Sequence, residues 1–256
     1  NWHHKLHRTM LTPLLFLLAF NNAFAQQDSC QPKYSDQASC DADSKCTWCK
    51  AGAVPSSCFE KENAKKLPPG VFVCDSVEIA QKKDGPPSWM KKAATARWVV
   101  HNTTYGTLAT TSVHLNGTAF GNVQSFVDGD MTFTTGIPYF YVSEMDVSQQ
   151  DIAANPMVSF TISEASIGYC AKKGWDPEDP RCAKVVLSGK VVEVTDSDEQ
   201  AKFKSALFSR HPPMKSWPSD HNWKVKKLQI QDIWMLDFFG GASIIDPADY
   251  YNVTMF

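Results

Sequence analysis

The spacing of apolar residues changes along the chain, and this change predicts which elements form. From residue 89 to 100 apolar side chains recur at helical spacing, so we expect a helix there that Ser88 caps. Farther along, short runs of alternating apolar and polar residues, bounded by Gly and Asn, are typical of strands. These runs predict strands at 105–113, 122–127, 138–142, 157–162, 183–194, 223–230 and 233–239.

Two more helices interrupt the predicted strands. Ser148 and Asp151 have capping-box spacing before a short helix, and Ser197 and Gln200 repeat it before a longer helix that a His-Pro-Pro sequence ends. The run 233–236 is apolar on both faces, so we expect it to be covered on both sides. Antiparallel strands with helices between them predict a mainly β fold, a closed or split barrel with helical flanks.

The first part of the chain has another character. An apolar run followed by Ala23-Phe24-Ala25 is typical of a signal peptide, which we place at 1–25. Six cysteines follow at 26–76 among few large apolar side chains, so disulfides are expected to stabilise a small module there. A polar linker with Pro and Gly at 77–87 then precedes the barrel region at 88–256.

Eight cysteines, an even number, fit four disulfides in an oxidising compartment. Cys46-Thr-Trp-Cys49 resembles the CxWC unit of plexin-semaphorin-integrin modules. We interpret the module's cysteines as structural disulfides of open connectivity, with a four-thiolate zinc site or a redox CxxC pair as alternatives. Cys170 and Cys182 are expected to close a Pro-rich loop, or else to pair with the module or between subunits. The module's cysteines are Cys30, Cys40, Cys46, Cys49, Cys58 and Cys74.

Three sequons, at Asn102, Asn116 and Asn252, predict N-glycosylation. Together with the leader they place the protein in the secretory pathway, either secreted or in the endosomal or lysosomal lumen. No stretch approaches the roughly 20 apolar residues of a membrane-spanning helix, so we expect no transmembrane segment. A net charge of −2 without a Lys/Arg cluster argues against nucleic acid as a partner.

Positive charge is missing from one long stretch. No Lys or Arg occurs between residues 98 and 170, although the chain has 25 of them. A phosphate site normally uses Arg or Lys, or the free amides of a helix N-terminus, so a pocket built from this stretch would lack the usual phosphate ligands. The alternative is a weakly acidic surface without functional meaning. The sequence also has no HExxH, nucleophile elbow or Gly-rich phosphate loop, and an enzyme is not favoured.

Ordered motifs occur at 210–223, 233–241, 249–254 and 136–142 and in the loop 175–180 between Cys170 and Cys182. Together they resemble the CREG family of secreted glycoproteins. The resemblance covers 88–256 and implies a split β-barrel related to the FMN-binding pyridoxamine 5'-phosphate oxidases, usually a homodimer with pockets at the subunit interface. It also implies a lumenal or secreted binding protein that does not use flavin. The cysteine-rich segment has no counterpart in animal CREG proteins.

The resemblance also indicates where a pocket would lie. The strands around 106–112, 122–127 and 139–143 correspond to those that supply basic and hydroxyl groups to the flavin phosphate in the related enzymes. This chain keeps the hydroxyls but places Glu144 and Asp146 where Lys is common, which would weaken the binding of a dianion. The residual pocket candidates are Arg97, Thr110, Ser112, Ser125 and Tyr141.

The sharpest family motif contains His211, Trp217, His221, Asn222 and Trp223. Histidine titrates near the pH of endocytic compartments, so pH sensing, catalysis and metal ligation are alternatives to a structural role in an ordered loop. The structural role is favoured because prolines and tryptophans flank both histidines. We interpret the aromatic residues as core or dimer-interface residues rather than a stacking platform; they are Trp217, Trp223, Trp234, Phe238 and Phe239.

The leading hypothesis is a non-enzymatic, N-glycosylated split-barrel homodimer that acts by protein- or glycan-mediated binding, with a sorting receptor as a candidate partner. Its flavin pocket would be degenerate, and no cofactor or metal is expected. The alternative is an FMN-dependent oxidoreductase of the pyridoxamine 5'-phosphate oxidase type, in which Lys224, Lys226 or Lys227 of a partner chain reaches the phosphate. A pocket for some other small molecule is a third hypothesis.

Overall fold

The computed structural model describes residues 28–31, 33–52, 54–68, 71–77 and 85–255. The chain divides into two compact units, one ending at residue 81 and the other beginning at residue 82. The predicted signal peptide and most of the predicted linker lie outside the described residues. Within the described ranges, no helix is both long enough and apolar enough to cross a bilayer.

The N-terminal unit is a small antiparallel sheet of three strands in the order β2-β1-β3. The Asp28 carboxylate ties the start of this unit to its sheet, because it accepts hydrogen bonds from the backbone amides of Cys30 and Glu60 and from the Asn63 side chain. The elements are α1 (Gln37–Asp41), β1 (Cys46–Ala51), β2 (Ser57–Glu60), α2 (Lys61–Ala64) and β3 (Phe72–Cys74).

Disulfides replace a hydrophobic core in this unit, as the sequence predicted. Cys46 and Cys49 pair with different partners, so the redox CxxC alternative is wrong. The zinc alternative is also wrong, because the chain has no free cysteine to supply a thiolate. Cys170 and Cys182 bond to each other, which confirms the closed loop and excludes their pairing with the module or across subunits. The bonds are Cys30–Cys46, Cys40–Cys58, Cys49–Cys74 and Cys170–Cys182.

The second unit holds the remaining strands and helices. Its strands are β4 (Tyr105–Thr111), β5 (Ala119–Ser125), β6 (Val127–Gly129), β7 (Thr134–Val142), β8 (Met157–Ser163), β9 (Lys184–Glu193), β10 (Lys224–Leu236) and β11 (Ser243–Ile244). Its α-helices are α3 (Lys92–Asn102), α4 (Val147–Ala154), α5 (Tyr169–Lys172), α6 (Ser197–Arg210) and α7 (Pro247–Tyr251). Short 3-10 helices cover Glu164–Ile167, Pro212–Ser216 and Ser219–His221.

The strands form one antiparallel sheet in the order β5-β4-β8-β9-β10-β7-β6, with β11 paired to β10, and the sheet curls into a half barrel. This confirms the predicted mainly β split barrel with flanking helices. The barrel interior is filled by a cluster that includes Phe126, Phe140 and Phe160, all at most 1% exposed. A second cluster, which includes Tyr139 and Phe203, lies between α6 and the adjoining strands.

The last two predicted strands are in fact one. β10 runs without a break through residues 231 and 232, and its register with β9 shifts between Ile230 and Asp232 because one extra residue bulges out. Opposite the bulge, a Cβ on Gly189 would lie 2.0 Å from the carbonyl oxygen of Gln229, so only glycine fits there. A bulge reverses the face to which the following side chains point, so it interrupts the alternation of apolar and polar residues. In the sequence this interruption looks the same as a break between two strands.

Both predicted capping boxes are wrong by one or two residues. Asp146 caps α4 through a hydrogen bond from the Ser148 amide (2.8 Å), and Asp196 caps α6 through one from the Glu199 amide (2.7 Å). Ser148 and Ser197 therefore lie inside their helices. A carboxylate is the stronger acceptor at the positive end of a helix, so the nearby aspartate takes the position.

The first helix of the barrel unit begins later than predicted. Ser88 does not cap it; α3 starts at Lys92, after a turn in which the Lys91 amide donates to the Ser88 carbonyl (2.7 Å). Trp89 leaves the helical face and stacks on Phe238, with ring centres 5.0 Å apart. Because Trp89 packs against Phe238, the residues before Lys92 lie outside the helix.

Other predicted strand limits also shift. The strand expected at 122–127 begins earlier, at Ala119, and pauses after Ser125, where the fully buried Phe126 leads into β6. The predicted double-sided cover of 233–236 is wrong for one face. Ile233 and Met235 are buried, whereas Trp234 and Leu236 are only partly buried.

Candidate functional site

A cleft of about 390 Å³ opens beside the carboxyl ends of β5 and β7. β5 contributes its last residues, including Ser125, and β7 contributes Tyr141. The third wall comes from the segment between α6 and β10, through Trp217, His221 and Trp223. Its volume lies in the range of small-molecule sites, roughly 300–1,000 Å³. The structure thus brings two of the predicted pocket candidates together with three residues of the sharpest family motif.

Three aromatic rings, Tyr141, Trp217 and Trp223, pack against one another in what we call the aromatic layer. Tyr141 stacks on Trp223 at 5.2 Å and 19°, and on Trp217 at 6.0 Å and 18°. The two indoles lie 4.6 Å apart. Tyr141 is 8% exposed, whereas Trp217 is 37% exposed. We expected these tryptophans in the core or at an interface; neither belongs to the fully buried core, and both line the cleft.

The segment that carries the tryptophans is held in one conformation. The Trp223 indole N–H donates to the Pro218 carbonyl (2.8 Å), and the Ser143 hydroxyl donates to the His221 carbonyl (2.7 Å). Asn222 adopts the left-handed conformation with φ 50°, which Asn tolerates better than most residues. The ordered loop predicted for this motif therefore exists, and it presents its rings to the cleft in a fixed position.

The polar groups of the cleft carry one negative charge. Asp146 lines the cleft while its carboxylate caps α4 and accepts a hydrogen bond from the Asn122 side chain (3.3 Å). His221 lies beside the Trp223 ring, with 35% of its side chain exposed. Gln124 and Ser125 add an amide and a hydroxyl. Burial raises the pKa of Tyr141, so its hydroxyl stays protonated.

Arg97 lies away from the cleft. It is 3% exposed, and its guanidinium donates to the Tyr250 carbonyl (3.2 Å) and to the Thr134 hydroxyl (3.2 Å). Its charged group also lies 5.3 Å from the centre of the Tyr250 ring. Gly136 allows this packing, since a Cβ there would be 2.6 Å from Arg97 Nε. The one basic candidate from the sequence thus ties α3 to β7 and α7.

Thr110 and Ser112 are also placed elsewhere. The Thr110 hydroxyl donates to the buried Asp151 carboxylate (2.7 Å), whose other oxygen accepts from the Val113 amide (2.8 Å). The Ser112 hydroxyl accepts from the Leu115 amide (3.2 Å) within a turn. These contacts fasten α4 to the end of β4. The hydroxyls that the sequence offered for a phosphate serve the fold.

The two histidines of the motif occupy different surroundings. His211 Nε2 lies 3.0 Å from the Phe126 carbonyl oxygen, and burial lowers the pKa of His211. The adjacent Arg210 donates to the His101 carbonyl (2.7 Å) and to the Thr103 carbonyl (3.3 Å). His211 therefore fixes the end of α6 to the barrel, and only His221 reaches the cleft.

Comparison with known proteins identifies the family. The family described as "CREG, beta-barrel" matches residues 87–252. This chain belongs to the CREG family. It is 43% identical over 186 residues to Protein CREG1 of Gallus gallus, which covers 71% of this chain and 96% of the relative. It is 42% identical over 165 residues to Protein CREG1 of Homo sapiens, covering 64% of this chain and 74% of the relative.

A solved structure similar to this CREG protein is that of a heme binding protein from Mycobacterium smegmatis. The TM-score is 0.51 at 22% identity, over 62% of this chain and 59% of that one. At this identity the likeness shows the fold alone. The matched family region begins at residue 87, so the disulfide-rich unit precedes it.

Among the described residues, no Lys or Arg lines the cleft of this CREG protein. Lys224 is held by Glu144 (2.9 Å) and Glu193 (3.4 Å), and Lys227 by Glu199 (2.7 Å). An FMN site was expected to use one of three lysines from a partner chain. Two of the three already form ion pairs with glutamates of their own chain. The third residue, Lys226, has its pKa lowered, chiefly by burial.

The sequence did not single out Gln124, Ser143 or Met145, which also line the cleft. Gln124 is buried and Met145 is 68% exposed, so the degree of exposure does not distinguish the residues that line the cleft from other residues. A usable signal was the position of these residues at the ends of two predicted strands that the family resemblance already placed around the pocket.

Proposed function

We propose that this CREG protein is an N-glycosylated binding protein of the secretory pathway, secreted or endolysosomal, whose cleft does not hold FMN as a cofactor. The observation that carries the proposal is the charge of the cleft. Asp146 lines it, and no Lys or Arg is among the described lining residues. A carboxylate in place of a cation weakens phosphate binding, which the related flavin enzymes need.

The residues present do not fit the phosphate of FMN. Arg97 is buried and committed to the Tyr250 carbonyl and the Thr134 hydroxyl, so reaching the cleft would break a packed contact. Thr110 and Ser112 hold Asp151 and a turn amide in place. Moving either group toward an anion would leave a buried polar atom unpaired, which costs about 1–3 kcal/mol.

Two of the three sequons are well placed for glycans that a sorting receptor could bind. Asn116 is exposed at the tip of the β4–β5 hairpin, and Asn252 is exposed directly after α7. Asn102 differs, because its side-chain amide donates to the Trp98 carbonyl (2.8 Å) and is partly buried. We therefore assign the receptor-binding glycans to Asn116 and Asn252.

The outer face of the sheet supports a homodimer. Thr107 on β4 pairs with Val123 on β5 and with Thr161 on β8, so the three side chains share one face. Val123 is 67% exposed, and Tyr105 and Met157 on the same face are 44% and 39% exposed. This largely apolar patch, which the exposed Lys190 opposite Met157 borders, is typical of an interaction surface, and we propose a second copy as its occupant.

Native mass spectrometry and absorbance of protein purified from a glycosylating host test the proposal together. We expect a dimer of the 28.5 kDa chain, corrected for processing and glycans, without flavin absorbance. Uptake by receptor-bearing cells should fall in the Asn116→Gln and Asn252→Gln variants and stay unchanged in Asn102→Gln. Stoichiometric FMN in the purified protein would overturn the assignment of the cleft, and uptake that is indifferent to all three variants would overturn the glycan assignment.

A further inference from the structure

We propose that the cleft beside β5 and β7 binds a planar aromatic ligand that is uncharged or cationic and carries no phosphate, with its ring stacked on Trp217. This site goes beyond the receptor and glycan contacts proposed above. It rests on the aromatic layer, on the charge of the lining and on the rigidity of the segment between α6 and β10.

The aromatic layer offers a stacking surface. Tyr141, Trp217 and Trp223 lie within 6.0 Å of one another between ring centres, and both indoles are within 19° of the Tyr141 plane. Trp217 lines the cleft and keeps 37% of its surface exposed, so its ring is available to a ligand. Offset stacking on an indole favours flat rings and tolerates variation in their substituents.

The charge of the lining selects against anions. Among the described lining residues, Asp146 is the one carboxylate, His221 is the one histidine, and none is Lys or Arg. Lys204 lies 5.8 Å from the centre of the Tyr141 ring but is not part of the lining. A cationic ring would gain both from Asp146 and from the electron-rich faces of the indoles. A phosphate would meet repulsion without a compensating donor pair.

Polar residues also line the cleft, beside the aromatic layer. Gln124 and Ser125 on β5 offer an amide and a hydroxyl, and His221 offers a ring nitrogen from the opposite wall. A few placed polar groups around an apolar surface are typical of small-molecule sites, where they fix the orientation of the ligand. Ring nitrogens and carbonyls of a heteroaromatic ligand match these groups.

The site is formed before any ligand arrives. Trp223 is fixed by its bond to the Pro218 carbonyl, and the Ser143 hydroxyl holds the His221 carbonyl. Tyr141 is part of β7 and is 8% exposed. Binding would therefore order few side chains, and the contact area would convert into affinity with a small entropic loss.

Riboflavin and FMN form a matched pair of probes, because they share one ring system and differ by a phosphate. Titration of the dimeric glycoprotein, followed by quenching of flavin fluorescence, should give saturable binding of riboflavin. FMN should bind at least about tenfold more weakly, a difference of roughly 1.4 kcal/mol. FMN that binds as tightly as riboflavin, or better, would overturn the proposal.

Variants locate the site. Trp217→Ala should weaken riboflavin binding by about tenfold or more, whereas Trp217→Phe should retain part of it. Trp175→Ala is the matched control, because Trp175 does not line the cleft, and it should bind like the parent. Asp146→Asn keeps a cap for α4 but removes the negative charge. It should therefore reduce the difference in affinity between riboflavin and FMN.

The outcomes separate this inference from the proposed function. If neither probe binds the folded, colourless dimer, or if Trp217→Ala binds riboflavin normally, the ligand site is wrong while receptor uptake still stands. If the purified protein already carries FMN, both the ligand class and the flavin-free cleft are wrong. If FMN discrimination is unchanged in Asp146→Asn, the charge argument fails.

Discussion

The two units of this chain are stabilised in different ways. The barrel unit buries large aromatic side chains such as Phe126 and Phe160 in one cluster, whereas the N-terminal unit buries cysteine sulfur beside the partly buried Tyr34 and Trp48. A hydrophobic cluster loses stability with the volume removed from it, and a disulfide core depends on its covalent links. Redox conditions should therefore act mainly on one unit, and cavity-forming substitutions on the other.

The largest expected effect is the loss of a central barrel side chain. Phe160 is fully buried and meets Phe126 and Phe140 edge to face at 5.0 and 5.2 Å. Phe160→Ala should lower the free energy of unfolding of the barrel unit by about 3–5 kcal/mol. Hydrogen exchange measured by mass spectrometry should show faster exchange throughout 88–255 and unchanged exchange at 33–68. Equal acceleration in both regions would contradict the separation of the two units.

Removal of a module disulfide should come next. Replacing Cys40 and Cys58 by Ser should cost the N-terminal unit roughly 2–5 kcal/mol and unfold it, because little apolar core remains there. Limited proteolysis should then cut before residue 77 while the barrel resists. Replacing Cys170 and Cys182 is the matched control, and it should leave the barrel folded. A barrel that unfolds with the module disulfide would refute the contrast.

A buried acid should make the barrel unit respond to pH. Burial, with Asp237 nearby, raises the pKa of Glu164 to about 7 from its usual 4.5. Through Glu164 the folded state then binds more protons than the unfolded state between those values, so the contribution of Glu164 to barrel stability is greatest below pH 4.5 and falls as the pH rises toward 7. The total change is on the order of 3 kcal/mol.

Glu164→Gln tests this response, because an amide oxygen can still accept from the Ala183 amide that Glu164 now binds (3.2 Å). Its denaturation midpoint should be nearly independent of pH over that window, and it should exceed the parent's at neutral pH. A parent protein that gains stability from pH 4.5 to 7 would show that groups whose pKa is lowered by folding, such as the buried His211, dominate the response.

The smallest effect concerns a helix cap. Asp196→Ala removes the acceptor of the Glu199 amide and should lower barrel stability by about 1 kcal/mol. Asp196→Asn should retain most of the cap. Thermal denaturation of the three proteins checks the order, and a Ser197→Ala variant as destabilised as Asp196→Ala would restore the sequence-based capping box.

The sequence predicted those features that depend on local pattern and composition. Alternation located the strands, and the cysteine count with the leader indicated disulfides. The continuous β10 could not be predicted, because its bulge depends on Gly189 of another strand. The caps failed for a related reason: Asp146 and Ser148 are both good capping residues, and packing chooses between them.

The site was predictable only in part. Charge depletion and the family motif indicated a pocket at the ends of two strands, and Ser125 and Tyr141 are there. Arg97 was misleading, because a buried guanidinium finds its partners on β7 and α7, remote in sequence. The aromatic layer joins Tyr141 to tryptophans from a distant segment, and no spacing within the sequence reveals that contact.

The hydrogen bond made by the Asn102 side chain limits the period during which a sugar can be attached to it. Its amide nitrogen donates to the carbonyl of Trp98 at the last turn of α3, and the neighbouring Thr103 is fully buried. Once that turn has closed, the nitrogen is hydrogen-bonded and partly buried, so any sugar at Asn102 would be attached more readily while the segment is still unfolded. The fraction of molecules glycosylated at Asn102 would then report the rate of sugar transfer relative to the rate at which the last turn of α3 forms during synthesis.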